Sequence, residues 1–345
     1  MASRIALRAA FAAPVSLRSS SSVFSRHTAL ARNAVASTQV RFISKAPPDP
    51  WRAFWNGIKM PPITFKIFED ACTQGKRDGF FQRSTAVDYF ECAQAFIKAV
   101  QNGSSPGTTG LKDDPRFDAA TIYETGCIMH SHHPTLSPIA VAMWASSSGL
   151  GFHPAAITLV GDLVKRLRFG TLIMMRKVEA HFRRIVAQGT DANALAIEAL
   201  RLYRMEKKNA QATAMYKRAL KLGGPNFSYK GKCHHGLGHI AHSEGRLEEA
   251  AQHLEEAHKV DPLGTGLLLG DIYTSIDPSR AGAVYYQSAI FGEPASFDRL
   301  ADMELGMSMD ATDPSTRSDH HLWALELQRL GNAKRAQLQA LAAAR

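Results

Sequence analysis

Residues 231–262, GKCHHGLGHIAHSEGRLEEAAQHLEEAHKVDP, decide the fold of this chain. The stretch reads as a helix, a break at Gly245, a second helix and a stop at Pro262. Leu237-Gly238 sets a small residue inside the first helix, and Ala250, Leu254 and Ala257 alternate small and bulky in the second. Two helices approach closely only where glycine or alanine removes side-chain bulk, so the spacing marks a packed helical hairpin. One hairpin cannot bury its own apolar face, which calls for neighbours of the same kind.

Neighbours lie on both sides. Upstream, Tyr203 is followed by Ala212, Tyr216 and Ala219, with Pro225 beyond; downstream, Leu269-Gly270 and Tyr273 precede Ala281, Tyr285, Ala289 and Gly292. From about residue 118 onward, helix-length segments alternate with Gly, Pro or Asn, and alternating strand patterns are missing. The class expected is all-α.

The small–bulky–small run with a following proline resembles the tetratricopeptide family. The Ala289–Gly292 ending is closer to the related Sel-like repeats. The resemblance is good over 190–295 and weaker over 136–189, where Ala140, Trp144 and Ala155-Ala156 suggest another pair. It implies a right-handed α-solenoid of helix–turn–helix repeats over 136–345, closed by a capping helix at 332–344. It also implies that the first helix of each unit lines a ligand groove. Carried onto the central unit, the groove positions are Lys232, His235, His239 and His242, with Arg201 and Arg204 on one flank and Asp271 on the other.

Helix geometry supports the histidine row without the family, because at 100° per residue these three histidines fall within about 60° of one another. Three readings stay open: a solvated face, a groove for an acidic segment or C-terminal carboxylate, and a metal site. Histidines at i and i+4 share metals readily, but Cys233 points away from the row and no carboxylate completes a set locally. His130, His132 and His133 form a second cluster in a turn before Pro134. Gly236-Leu-Gly238-His-Ile-Ala241 matches a dinucleotide-binding pattern but lacks the preceding strand that such a site needs. No nucleophile with its base is marked, so the expectation is a non-enzymatic protein without a cofactor.

The rest of the chain bears on compartment. Residues 1–48 hold no Asp or Glu but carry Arg4, Arg8, Arg18, Arg26, Arg32, Arg41 and Lys45. That is the pattern of a mitochondrial presequence, expected to span 1–43. Seven of the 41 Lys and Arg fall there, leaving 34 against 31 acids in the remainder, so the basic pI says little about nucleic acid. Four scattered cysteines, Cys72, Cys92, Cys127 and Cys233, suit a reduced matrix rather than a disulfide framework. No apolar run is long enough to cross a membrane, although 164–186 concentrates basic residues around an apolar seam and could touch the inner membrane's surface.

Between presequence and repeats, 44–62 reads as an extended Pro/Trp strap whose Trp51 and Trp55 anchor it to the body. An N-terminal helical region is expected at 63–135, with helices at 63–75 and 84–101 and a flexible loop at 102–116. The function expected is a mitochondrial adaptor or assembly factor holding a protein segment, with respiratory-complex assembly first. The alternatives are a metal- or haem-handling assembly protein and an RNA- or ribosome-associated factor.

Overall fold

The computed structural model describes residues 49–58, 62–78, 80–111, 114–132, 136–224 and 227–343. The proposed presequence, Pro47, Pro48, Pro61, His133, Pro134 and Pro225 lie outside them. Among the described residues the protein is all-helical and has no strand. It divides into two compact units, residues 1–146 and 147–345. The division falls inside one helix, beyond the boundary at 135/136 that the punctuation suggests.

In the first unit, α1 (Pro50–Asn56) corrects the expectation of an extended strap. Proline lacks an N–H, but the first turn of a helix has no partner for that N–H anyway. Asp49 caps the helix by accepting from the Trp51 N–H at 3.0 Å. Trp51 and Trp55 are buried, as expected of anchors. Helices α2 (Phe65–Asp78) and α3 (Ala86–Gln101) occupy the two segments read as helical, followed by α4 (Ala119–His132) and α5 (Ser137–Gly149). Thr85 opens α3 with a capping box: its hydroxyl accepts from the Asp88 N–H, and the Asp88 carboxylate accepts from the Thr85 N–H. The inward face of α3 buries Tyr89, Cys92, Ala93, Phe96 and Val100.

The loop after α3 is packed along part of its length. Pro106, Gly107 and Thr109 are buried, and the Ser146 hydroxyl donates to the Thr109 carbonyl. A Cβ at Gly107 would lie 2.2 Å from the Trp51 indole, so only glycine allows the loop to lie on that ring.

The second unit continues with α6 (His153–Lys165), α7 (Arg176–Gln188), α8 (Ala192–Glu206), α9 (Asn209–Gly223), α10 (Lys230–Ser243), α11 (Leu247–His258), α12 (Pro262–Ile276), α13 (Pro278–Ile290), α14 (Pro294–Asp310) and α15 (Pro314–Ala343). The helix anticipated at 332–344 is the distal part of the much longer α15. Pro262, Pro278 and Pro294 sit in the first turns of α12, α13 and α14. Each therefore starts a helix; Pro262 and Pro294 also end the previous unit, whereas Pro278 opens the second helix of its own hairpin. Asp191 and Asp261 cap α8 and α12 by accepting from Ala194 N–H at 2.8 Å and Gly264 N–H at 3.0 Å.

Consecutive helices pack on one another from α8 to α15, which is compatible with a solenoid. First helices of successive hairpins also meet: α6 touches α8, α8 touches α10, and α12 touches α14. The small–bulky–small positions are all buried: Ala212, Tyr216 and Ala219 on α9; Ala250, Leu254 and Ala257 on α11; Ala281, Tyr285 and Ala289 on α13. Gly238 and Gly270 receive the bulky residue of their own hairpin. A Cβ at Gly238 would lie 2.6 Å from Leu254 Cγ, and one at Gly270 would lie 2.3 Å from the Tyr285 ring. Gly236 faces the other way, toward Tyr216 of the preceding hairpin, where a Cβ would approach within 2.5 Å. Both glycines of the dinucleotide-like string are thus helix-crossing positions inside α10.

The basic segment 164–186 buries Phe169, Met175, Val178, Phe182 and Ile185, while Arg166, Arg168, Arg176, Lys177, Arg183 and Arg184 stay exposed. No helix among the described residues is long and apolar enough to cross a membrane.

Candidate functional site

The row of first helices carries the candidate residues. His235 and His239 meet on α10: their Nε2 atoms are 3.1 Å apart and their ring centroids 4.3 Å apart. His235 Nε2 also lies 3.1 Å from the carbonyl of Gly264 at the start of α12, tying adjoining hairpins together. A carbonyl can only accept, so this contact assigns the proton of neutral His235 to Nε2. His239 then presents its Nε2 lone pair to the same N–H. Burial, with His235 and His242 as further causes, pulls the His239 pKa down to about 4, and burial also lowers that of His235. Both rings are therefore neutral near pH 7.

His242 is exposed and takes no part in that contact. Among the described residues, no three His, Cys, Asp or Glu side chains converge as a metal-binding set. His242 therefore does not complete a three-nitrogen set with His235 and His239 among the described residues.

Lys232 belongs to a cationic group that the sequence shows only in part. Its Nζ lies 4.2 Å from the centroid of the Tyr229 ring, a cation–π contact. Burial, and then repulsion from Lys165 at the end of α6, hold its pKa below the usual lysine value against the pull of Asp261. Arg204 on α8 donates to the Lys165 carbonyl at 3.1 Å. Arg204, Lys165 and Lys232 thus form a basic edge running across α8, α6 and α10. Asp261, the cap of α12, is the carboxylate acting on both Lys232 and His235.

Two flanking candidates are already engaged. Arg201 makes a two-point contact with Glu198 at 2.8 and 2.7 Å and a further bond to Glu206, and its guanidinium sits 5.4 Å from the Phe169 ring centroid. Its side chain is only 16% exposed, and two carboxylates neutralise it, so its role is structural. Asp271 accepts from the Tyr285 hydroxyl at 2.7 Å and from Arg299 at 2.9 Å, which ties α12 to α13 and α14. Neither is free to receive a ligand.

Interior histidines, which no local spacing singles out, make contacts of their own. His234 meets His253 across the α10–α11 hairpin, Nδ1 to Nδ1 at 3.2 Å, and burial lowers both pKa values. His181 is buried with its Nδ1 3.0 Å from Ser148 Oγ. Ser148 is buried as well, so the contact lies within the core. His258 bridges Thr265 and Gln287.

No protein-family model matches the chain, and no curated protein matches it.

Proposed function

We propose that the second unit is a non-enzymatic binding scaffold of the tetratricopeptide type, with right-handed stacking, that holds an acidic protein segment or C-terminal carboxylate along its first helices. One observation carries this reading. Lys165 and Lys232 are close enough to repel one another, with Arg204 beside them, and among the described residues no ion pair to a carboxylate is found for any of the three. A bound carboxylate relieves that repulsion and adds charge-assisted hydrogen bonds. The neutral His235–His239 pair next to it adds a polar surface without adding charge.

The acid-free, arginine-rich segment 1–43 supports import into mitochondria, and the mature protein is proposed to work in the matrix or peripherally on the inner membrane. Assembly of an inner-membrane respiratory complex is the setting we favour, by analogy with helical-repeat proteins in that compartment. The near-balanced charge outside residues 1–45 argues against RNA as the principal ligand.

The test is affinity capture from mitochondrial extract with the wild-type chain, with Lys165→Glu/Lys232→Glu, and with Lys334→Glu on distant α15 as control. Partners should be lost from the double variant and retained by the control. Retention of every partner by the double variant rejects the basic edge as the binding site.

A further inference from the structure

The His235–His239 pair has a geometry that the binding reading does not use. Two ligand nitrogens on a tetrahedral zinc, each about 2.0–2.1 Å from the metal, stand roughly 3.3 Å apart. The two Nε2 atoms already stand 3.1 Å apart, held by a shared helix at i and i+4. The contact between His235 and Gly264 lies at an exposed edge, so an ion reaches the pair from solvent.

We propose that His235 and His239 form an open two-nitrogen site for a borderline divalent metal ion, zinc or copper, with its other positions filled by water. Imidazole suits these metals among the divalent ions. A ligand nitrogen must be unprotonated, as an imidazole mostly is near pH 7. His239 already offers its Nε2 lone pair. His235 becomes a ligand by moving its proton from Nε2 to Nδ1, which exchanges the bond to the Gly264 carbonyl for a bond to the metal. No proton is released by that tautomer change, and no redox step is involved. Structural zinc sites are closed by four protein ligands, so a site built on two histidines is open to water at its remaining positions.

The His234–His253 pair serves as an internal control. Its Nδ1 atoms are similarly close, but they lie within the α10–α11 hairpin, and Glu249 stands 4.0 Å from the opposite nitrogen of His253. Its two rings sit on separate helices, so no shared i, i+4 spacing fixes their separation.

The proposal needs only the histidine pair and does not depend on the basic edge. Untagged full-length protein, stripped with chelator, is titrated with zinc chloride or copper sulfate against a chromophoric indicator near neutral pH. One ion per chain is expected, with affinity falling at least roughly tenfold, about 1.4 kcal/mol, in His235→Gln and in His239→Gln. It should be unchanged in His234→Gln. Copper resonance spectra of the unsubstituted protein should show two coupled imidazole nitrogens, a readout that survives if a variant folds poorly. Absence of a stoichiometric site, equal affinity in the pair variants, or fewer than two coupled nitrogens overturns the proposal. Lys165→Glu/Lys232→Glu should keep the metal site even if it loses every protein partner, so the two readings fail separately.

Discussion

Gly236→Ala is the sharpest probe of how the hairpins stack. In an exposed helix, alanine outranks glycine by about 0.5–1 kcal/mol, since glycine loses more backbone freedom on folding. At residue 236 that gain meets a wall: the new Cβ would sit 2.5–2.7 Å from three atoms of the Tyr216 side chain, which is 1% exposed and cannot swing out to solvent. Overpacking a closed core costs about 1–3 kcal/mol, so the net change should be a loss of about 0.5–2 kcal/mol. Gly306 is the matched control, because it lies in α14 with nothing within 4 Å of the position its Cβ would take. Gly306→Ala should therefore gain about 0.5–1 kcal/mol. Equilibrium urea unfolding followed by circular dichroism would show opposite shifts of the midpoint at near-constant slope. Shrinking the ring in Gly236→Ala/Tyr216→Leu should recover part of the loss beyond additivity, as expected for residues in contact. If Gly236→Ala stabilises as much as Gly306→Ala, the close approach of α9 and α10 is wrong.

Three further outcomes follow from the same structure. Leu254→Ala should destabilise the second unit by about 2–5 kcal/mol, since Leu254 is fully buried against Gly238, and thermal melting checks this. Asp191→Ala should cost about 1 kcal/mol through loss of the bond to Ala194 N–H, whereas Asp191→Asn should retain most of it, again by urea midpoint. For pH, His239 has a folded pKa near 4 against an ordinary 6.5, so the fold favours its neutral form. Its contribution is fully present above pH 6.5 and is lost as pH falls from there through about 4. The slope of stability against pH in that window should flatten in His239→Gln, and an unchanged slope removes His239 as its source.

The hairpins were legible because close helix crossings leave a spacing that survives in one dimension: Gly238 with Leu254, and Gly270 with Tyr285. Helix α1 was hidden by Pro50, because a proline looks the same whether it breaks a helix or opens one; Asp49 before it was the available cue. Less of the site is legible in one dimension. His235 and His239 lie on one helix, so their meeting follows from the turn angle alone. The His234–His253 contact depends on the register of two helices, which local spacing does not carry. Arg201 looked like a groove residue, although Glu198 three positions earlier already offered it a partner along the helix. Lys165 and Asp261 join Lys232 through packing between hairpins. Asp261 did leave a trace in the Asp-Pro start of α12.

The neighbour-on-neighbour packing from α8 to α15 also has a kinetic meaning. Contacts between adjoining helices close short loops, and short loops close fast and at low entropic cost. Each hairpin can therefore form as soon as its second helix is free, before the rest of the chain arrives. A polypeptide delivered gradually from a narrow exit gains from that order. No distant strand must be awaited, and each completed hairpin offers the next a template on which to settle.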